Sequence, residues 1–236
     1  SSSRGSNRKC LIGHFKPIKV KPMAKEVKLK ESSVFYLQAV LNSVPLDKLG
    51  EVKKSKFKAI TMRRKLVKQL NELNEEFRKK VEAFVEIKSK YQKEYQEFAK
   101  EMNERYDLDE QKALEGVSEE EKEAKKEELK TSQGVEKQKE LDDFATSVQE
   151  KMDAEVKATG LKFLMYTMVD PETKERKSVE IVEYANKEDE KELTIELTDD
   201  EDGQYKFAQR LFEENAMTAM PVEDILLPIA EVLELS

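Results

Sequence analysis

Residues 65–102 read KLVKQLNELNEEFRKKVEAFVEIKSKYQKEYQEFAKEM. Apolar residues fall at Leu66, Leu70, Leu73, Phe77, Val81, Phe84, Tyr91, Tyr95, Phe98 and Met102. The steps are threes and fours, with Lys88 filling one gap. That is one face of an α-helix, and a seam sustained this long has the pattern of a coiled coil. The two successive four-residue steps, Leu73 to Phe77 to Val81, mark a stutter in it. Neither Pro nor Gly occurs from Glu51 to about Tyr106, so the spacing predicts one helix of ~55 residues, on the order of 80 Å long. A helix of that length needs a partner.

The chain supplies one. Gly116 suits a helix C-cap, and Ser118 followed by Glu121 has capping-box spacing. A second helical stretch runs over 118–158, loosened at TSQG (131–134), with Leu129, Leu141, Phe144, Val148, Met152 and Val156 on one face and Gly160 at its end. Two helices joined by a short link pack antiparallel most simply. Residues 51–159 are therefore expected to form a projecting helical hairpin. If the returning helix covers the aromatic seam the chain is a monomer; if not, a homodimer would bury the remainder.

The flanks read differently. VFYLQAVLNSV (34–44) predicts a short apolar helix, with Ser32 and Ser33 as N-caps and Pro45 as its stop. LKFLMYTMV (161–169) and KSVEIVEYA (177–185), around Asp170–Pro171, predict a β-hairpin. KELTIELT (191–198) alternates, with Leu193, Ile195 and Leu197 on one side, and is a candidate third strand. A helix follows over about 203–215, with Tyr205, Ala208, Leu211 and Phe212 on one face. The tail MPVEDILLPIAEVLELS, interrupted by Pro221 and Pro228, is expected to cover the sheet or supply an edge strand. The expected fold class is α+β: a long, coiled-coil-like antiparallel helical hairpin with a small antiparallel β-sheet and a C-terminal helix. Three regions are expected: a basic flexible arm or extension (1–30), the hairpin region (31–159) and a small α/β region (160–236).

Composition narrows the function classes. Charged residues are 39% of the 236 and hydrophobic ones 38%, which suits long solvated helices. Nine of the first thirty residues are Lys or Arg and one is acidic, so that segment carries +8 of a total of −7 and the rest −15. An acidic body does not attract phosphate backbones. Met23 opens MAKEVKLKESS, which reads as an ordinary cytosolic start. Residues 1–22 are open to three readings: an upstream or appended extension, a basic binding arm, or an organelle-targeting peptide. One Cys, Cys10, forms no internal disulfide framework and suits a reducing compartment. No run of about eighteen apolar residues occurs, so no membrane span and a cytoplasmic location are expected.

Candidate chemistry is thin. His14 is the sole His, so a triad or a His-based metal site has nothing to build on. Cys10 lies among Arg8, Lys9 and Lys16, cations that would lower a thiol pKa; a plain exposed thiol is the simpler reading. TDDEDG (198–203) resembles half a calcium loop, with Asp200 and Asp202 in the third and fifth places and Gly203 at the turn. The first and twelfth places, Thr198 and Gln209, lack carboxylates, so the loop reads instead as an acidic cap for the next helix. The many Glu residues lie beside Lys at four-residue spacing and read as surface ion pairs. Neither GxGxxG nor GxxxxGK[ST] occurs, and the aromatics are expected on the seam rather than on a base-stacking platform. No cofactor is expected. One basic run stands in the body, KKSKFKAITMRRKLVK (53–68). Its Lys53, Lys56, Arg63, Arg64 and Lys68 are candidate contacts for nucleic acid or an acidic partner, against the simpler reading of a charged helix start balanced by the acidic hairpin tip.

AVLNSVPLDKLG, then SKFKAITMRRKLVKQLNELNEEF, then GQYKFAQRLFEENA with PVEDILLPIAEVLE, resemble a family of small tailed-bacteriophage proteins of unknown function. The resemblance covers about 35–110 and 200–235 and leaves the middle, about 111–198, as this chain's own. It implies a phage origin, in host cytoplasm or virion, and no assigned activity. The expected function is a non-enzymatic protein-interaction module, an assembly or accessory factor or a host-protein binder. The alternative is a nucleic-acid-associated protein using the basic arm and residues 53–68.

Overall fold

The computed structural model describes residues 23–49, 55–169, 172–219 and 222–235. The order is β1 (Ala24–Lys30), α1 (Glu31–Ser43), α2 (Lys56–Leu73), α3 (Glu75–Leu114), α4 (Glu119–Thr159), β2 (Leu161–Val169), β3 (Arg176–Tyr184), β4 (Glu192–Thr198), α5 (Gln204–Ala219) and α6 (Glu223–Val232), with a 3-10 turn at Lys187–Asp189. The fold is α+β, and α3 and α4 form the antiparallel hairpin.

The long helix is broken. Seam residues 66–102 belong to two helices separated by Asn74, whose φ of −106° and ψ of 24° are not helical. Asn74 is buried, and its Nδ2 donates to the Glu31 carbonyl at 2.9 Å. The break falls on the stutter. Upstream, Leu66 and Leu70 enter the core of the head; downstream, Phe77, Val81 and Phe84 enter a second core; Leu73, between them, is turned out to solvent. Helix α3 still spans ~60 Å. Gly116 and Gly160 take left-handed φ of 74° at the ends of α3 and α4, a conformation that favours glycine.

The sheet is two ribbons, not one. β2 and β3 pair antiparallel from Leu161↔Tyr184 to Val169↔Arg176. The turn residues Asp170 and Pro171 lie outside the described residues. β4 pairs with β1, not with the hairpin, from Ala24↔Thr198 to Lys30↔Glu192. Residues 24–30 are therefore a strand, which corrects the reading of 1–30 as one flexible arm; residues 1–22 lie outside the described residues. Val27 and Leu29 face the core with Ile195 and Leu197, and Lys25, on the same face, lays its ammonium over the Tyr205 ring at 4.1 Å.

Three more expectations need correction. Ser32 and Ser33 do not cap α1: the helix starts at Glu31, and Ser32 donates its N–H to Glu190 Oε1 at 2.8 Å and its hydroxyl to the same oxygen. No side-chain cap forms at Ser118; the Glu121 N–H donates to the Ser118 carbonyl at 3.1 Å. Of the two readings of the tail, the edge strand is corrected and the cover holds: the tail forms helix α6, packed against α1 and β1. Pro228 sits within it and removes one backbone bond, and burial of Leu226, Ile229 and Leu233 outweighs that loss.

Tyr36 joins head to ribbon. Its hydroxyl accepts the Val182 N–H at 2.8 Å and donates to the Val182 carbonyl at 3.1 Å. Burial pushes its pKa well above the ordinary tyrosine value. Tyr184 is pushed the same way, by burial and then by the Glu31 carboxylate. A phenol with a raised folded-state pKa keeps its proton while the unfolded chain loses one from about pH 10 upward. Stability is therefore expected to hold below about pH 10 and fall above it, by about 1.4 kcal/mol per pH unit for each of these tyrosines. Tyr36→Phe is expected to reduce the alkaline slope, measured relative to the variant's own neutral value, by up to about 1.4 kcal/mol per pH unit, read by urea titrations from about pH 8 to 11.5. An unchanged slope would exclude Tyr36 as a source.

Candidate functional site

The basic run lies on α2, which holds six Lys and Arg against one acid, Glu72. Ser55 caps its start, its hydroxyl oxygen accepting the Lys58 N–H. Ala59, Leu66, Val67 and Leu70 bury one face, which leaves the cations on the other. Lys53 lies outside the described residues. Lys56, the first residue of α2, is exposed and stands apart from the rest. Arg63, Arg64 and Lys68 come together along a groove of about 600 Å³ between α2, the end of α1 at Asn42 and the start of α3 at Glu75 and Arg78.

The members differ in role. Arg63 donates from Nη1 to the Val44 carbonyl at 2.5 Å, where α1 ends. A cation there complements the negative end of a helix, so Arg63 serves the fold. Lys68 has only a long contact to Glu72, 3.8 Å, with both side chains exposed. Arg64 has no ion-pair partner among the described residues, and neither has Arg78. Asn71 lines the same groove with its Oδ1 buried and without a hydrogen bond.

Two members of this surface were not singled out from the sequence. Arg78 reaches the groove from beyond the break. Phe57 is 81% exposed beside a second depression lined by Lys58, Thr61, Lys65, Thr198 and Gln204. A partial signal was present: Phe57, Arg64 and Asn71 recur at seven-residue intervals, which places them along one side of α2.

The acidic loop has another occupation. The Thr198 hydroxyl oxygen accepts the Gln204 N–H at 2.8 Å, and Gln204 Oε1 accepts the Thr198 N–H at 3.4 Å. Gln209 Nε2 donates to the Leu233 carbonyl at 2.6 Å. The first and last places of the calcium reading thus serve a helix start and the α5–α6 junction. Gly203 is required by close approach: a Cβ there would overlap the Thr198 carbonyl and Asp200 Oδ1. His14 and Cys10 lie outside the described residues.

No family model, curated protein or solved structure matches this chain.

The hairpin is the other large surface. Its shaft is joined by Phe98 stacked on Phe144, centroids 3.8 Å apart, and by ion pairs Lys90–Glu155 at 3.3 Å and Arg105–Glu140 at 2.5 Å. Tyr91, Met102 and Val148 are buried there. Beyond Met102 the seam is only half-buried: no residue from 103 to 147 is buried. An open cleft of about 500 Å³ separates the helices around Tyr106, Glu110, Lys130 and Gly134. Helix α4 is continuous through TSQG, which corrects the loosening expected there; Gly134 offers no side chain to α3. Leu108 and Val135 are 57% and 64% exposed on this part. Among the described residues, no helix is long and apolar enough to cross a membrane.

Proposed function

We propose that the protein is a non-enzymatic interaction module that presents the distal half of its α3–α4 hairpin to a protein partner. The observation that carries this reading is that no residue from 103 to 147 is buried while both helices continue, the packing there being limited to half-buried contacts such as Phe144 on Phe98. Helices of this length are stabilised mainly by tertiary contacts, and the distal half has few of its own. Its cleft and its exposed Leu108 and Val135 offer apolar contact, and the surrounding Glu and Lys offer register. The sequence resemblance to tailed-phage proteins supports an assembly component or a host protein of an infected cell as that partner.

Replacing residues 108–135 with a short Gly-Asn turn removes the open part and keeps Phe98, Phe144 and the Arg105–Glu140 pair. The shortened chain is expected to retain its melting temperature. In cross-linked pull-downs from the native infected cell, the full chain is expected to recover one protein that the shortened chain loses. Recovery of the same protein by both forms would place the contact on the head and overturn this reading.

A further inference from the structure

The exposed face of α2 combines an aromatic ring with cations, of which Arg64 has no ion-pair partner among the described residues and Lys68 reaches only Glu72, at 3.8 Å. Phe57 is the most exposed large apolar side chain among the described residues. A single exposed phenyl needs no explanation by itself. Its placement does: Phe57 heads a stripe on α2 that continues through Arg64 and Asn71 into the groove that Arg78 of α3 also lines, with Thr61 and Lys68 alongside. Some helix cations meet carboxylates one turn away, as in Lys79–Glu75 at 3.1 Å and, on α2 itself, Lys68–Glu72 at 3.8 Å. Arg64 faces the groove, which Glu72 and Glu75 also line, with no ion-pair partner among the described residues, in a chain whose net charge is −7.

Guanidinium groups match phosphate oxygens in a planar, two-pronged fit, and a concave basic surface tracks a phosphodiester backbone. A phenyl face in line with that surface adds what duplexes do not offer a partner, a base free to stack. We propose that this face binds single-stranded nucleic acid, with Arg64, Lys68 and Arg78 on phosphates along the groove and Phe57 stacked on a base. The site is at the base of the hairpin and is independent of the partner proposed for its distal half.

The test is fluorescence anisotropy on the full chain with labelled DNA and RNA single strands of about 15 nucleotides, and a duplex of the same sequence. Single strands are expected to bind at about 50 mM salt and to weaken linearly on a log–log salt plot. Arg64→Ala, Lys68→Ala and Arg78→Ala should each reduce that slope by about 0.7. Phe57→Ala should weaken single-strand binding about 5- to 150-fold and leave duplex binding unchanged. Phe57→Tyr, which keeps a stacking face, should bind like the parent. The two strands' affinities decide between DNA and RNA. The proposal fails if no single strand binds at about 50 mM salt, or if Phe57→Ala binds as the parent does. It also fails if polyglutamate competes as well as an unlabelled oligonucleotide, which would make the face an acidic-protein surface. Melting temperatures equal to the parent's are expected for all these variants, since none of the substituted side chains is buried.

Discussion

Phe77→Ala is expected to destabilise the protein by about 3–5 kcal/mol, the range for removing a buried phenyl ring. Phe77 is fully buried. It lies just past the break at Asn74, where α3 leaves the head. Its ring stacks on Tyr184 of β3 at 5.5 Å and meets Phe35 of α1 edge-on at 5.8 Å. One side chain therefore joins the first turn of the hairpin, the β2–β3 ribbon and the head. The rings around it are held by other contacts, Tyr184 by its hydroxyl and Phe35 by α1, so the cavity cannot collapse cheaply. Phe98→Ala is the comparison. Phe98 also stacks on a ring, but in the half-buried shaft, so less apolar surface returns to water and little cavity forms. Its cost is expected to be less than half that of Phe77→Ala. Urea titrations followed by circular dichroism give both numbers. If Phe98→Ala costs as much as Phe77→Ala, the shaft and not the joint holds the hairpin in place.

The contrast between joint and shaft also explains which parts of the fold were legible. The hairpin could be read because its seam repeats locally, every three or four residues, and local period is what a sequence displays. Asn74 could not be read as a break. Its conformation answers to the Glu31 carbonyl, 43 residues earlier in the chain, and the stutter was the one local trace of it. Strand β1 was missed because four of its seven residues, AKEVKLK, are charged, and only Val27 and Leu29 mark the buried face. The alternation of β4 identified its buried side but not its neighbour, because period fixes a face and not a partner. Pro228 was read as an interruption, yet the helix around it is kept by what it buries. At the basic site, Arg63, Arg64 and Lys68 were legible as a run. Arg78 lies past the break, and Phe57 lies on the face away from the seam, where a search for apolar period does not look.

Glu31→Ala is expected to cost about 2–4 kcal/mol, because it leaves two donors unpaired in a buried site. Glu31 is 2% exposed. Its Oε1 accepts the Lys191 N–H at 2.8 Å and the Tyr184 hydroxyl at 3.1 Å. Its own N–H donates to the Lys191 carbonyl at 3.1 Å, and its carbonyl accepts from Asn74. The residue thus sits where β1 becomes α1, and it binds the lead-in to β4, the end of β3 and the break between α2 and α3. A carboxylate at the first residue of a helix also meets the positive end of the peptide dipoles, which offsets part of the cost of burying it. Glu31→Gln separates hydrogen bonding from charge. The amide oxygen can accept the same two donors, so this variant is expected to lose less than half of what Glu31→Ala loses, by denaturant midpoint at constant m. Equal losses would mean that the negative charge is the main term. Losses below about 0.5 kcal/mol in both would mean that water or Lys80, whose ammonium lies 3.5 Å from the Tyr184 hydroxyl, reorganises to fill the gap. The double variant Glu31→Ala with Tyr184→Phe removes one of the orphaned donors together with its acceptor. It is expected to be less destabilised than the sum of the two single changes, since the buried hydroxyl no longer lacks a partner.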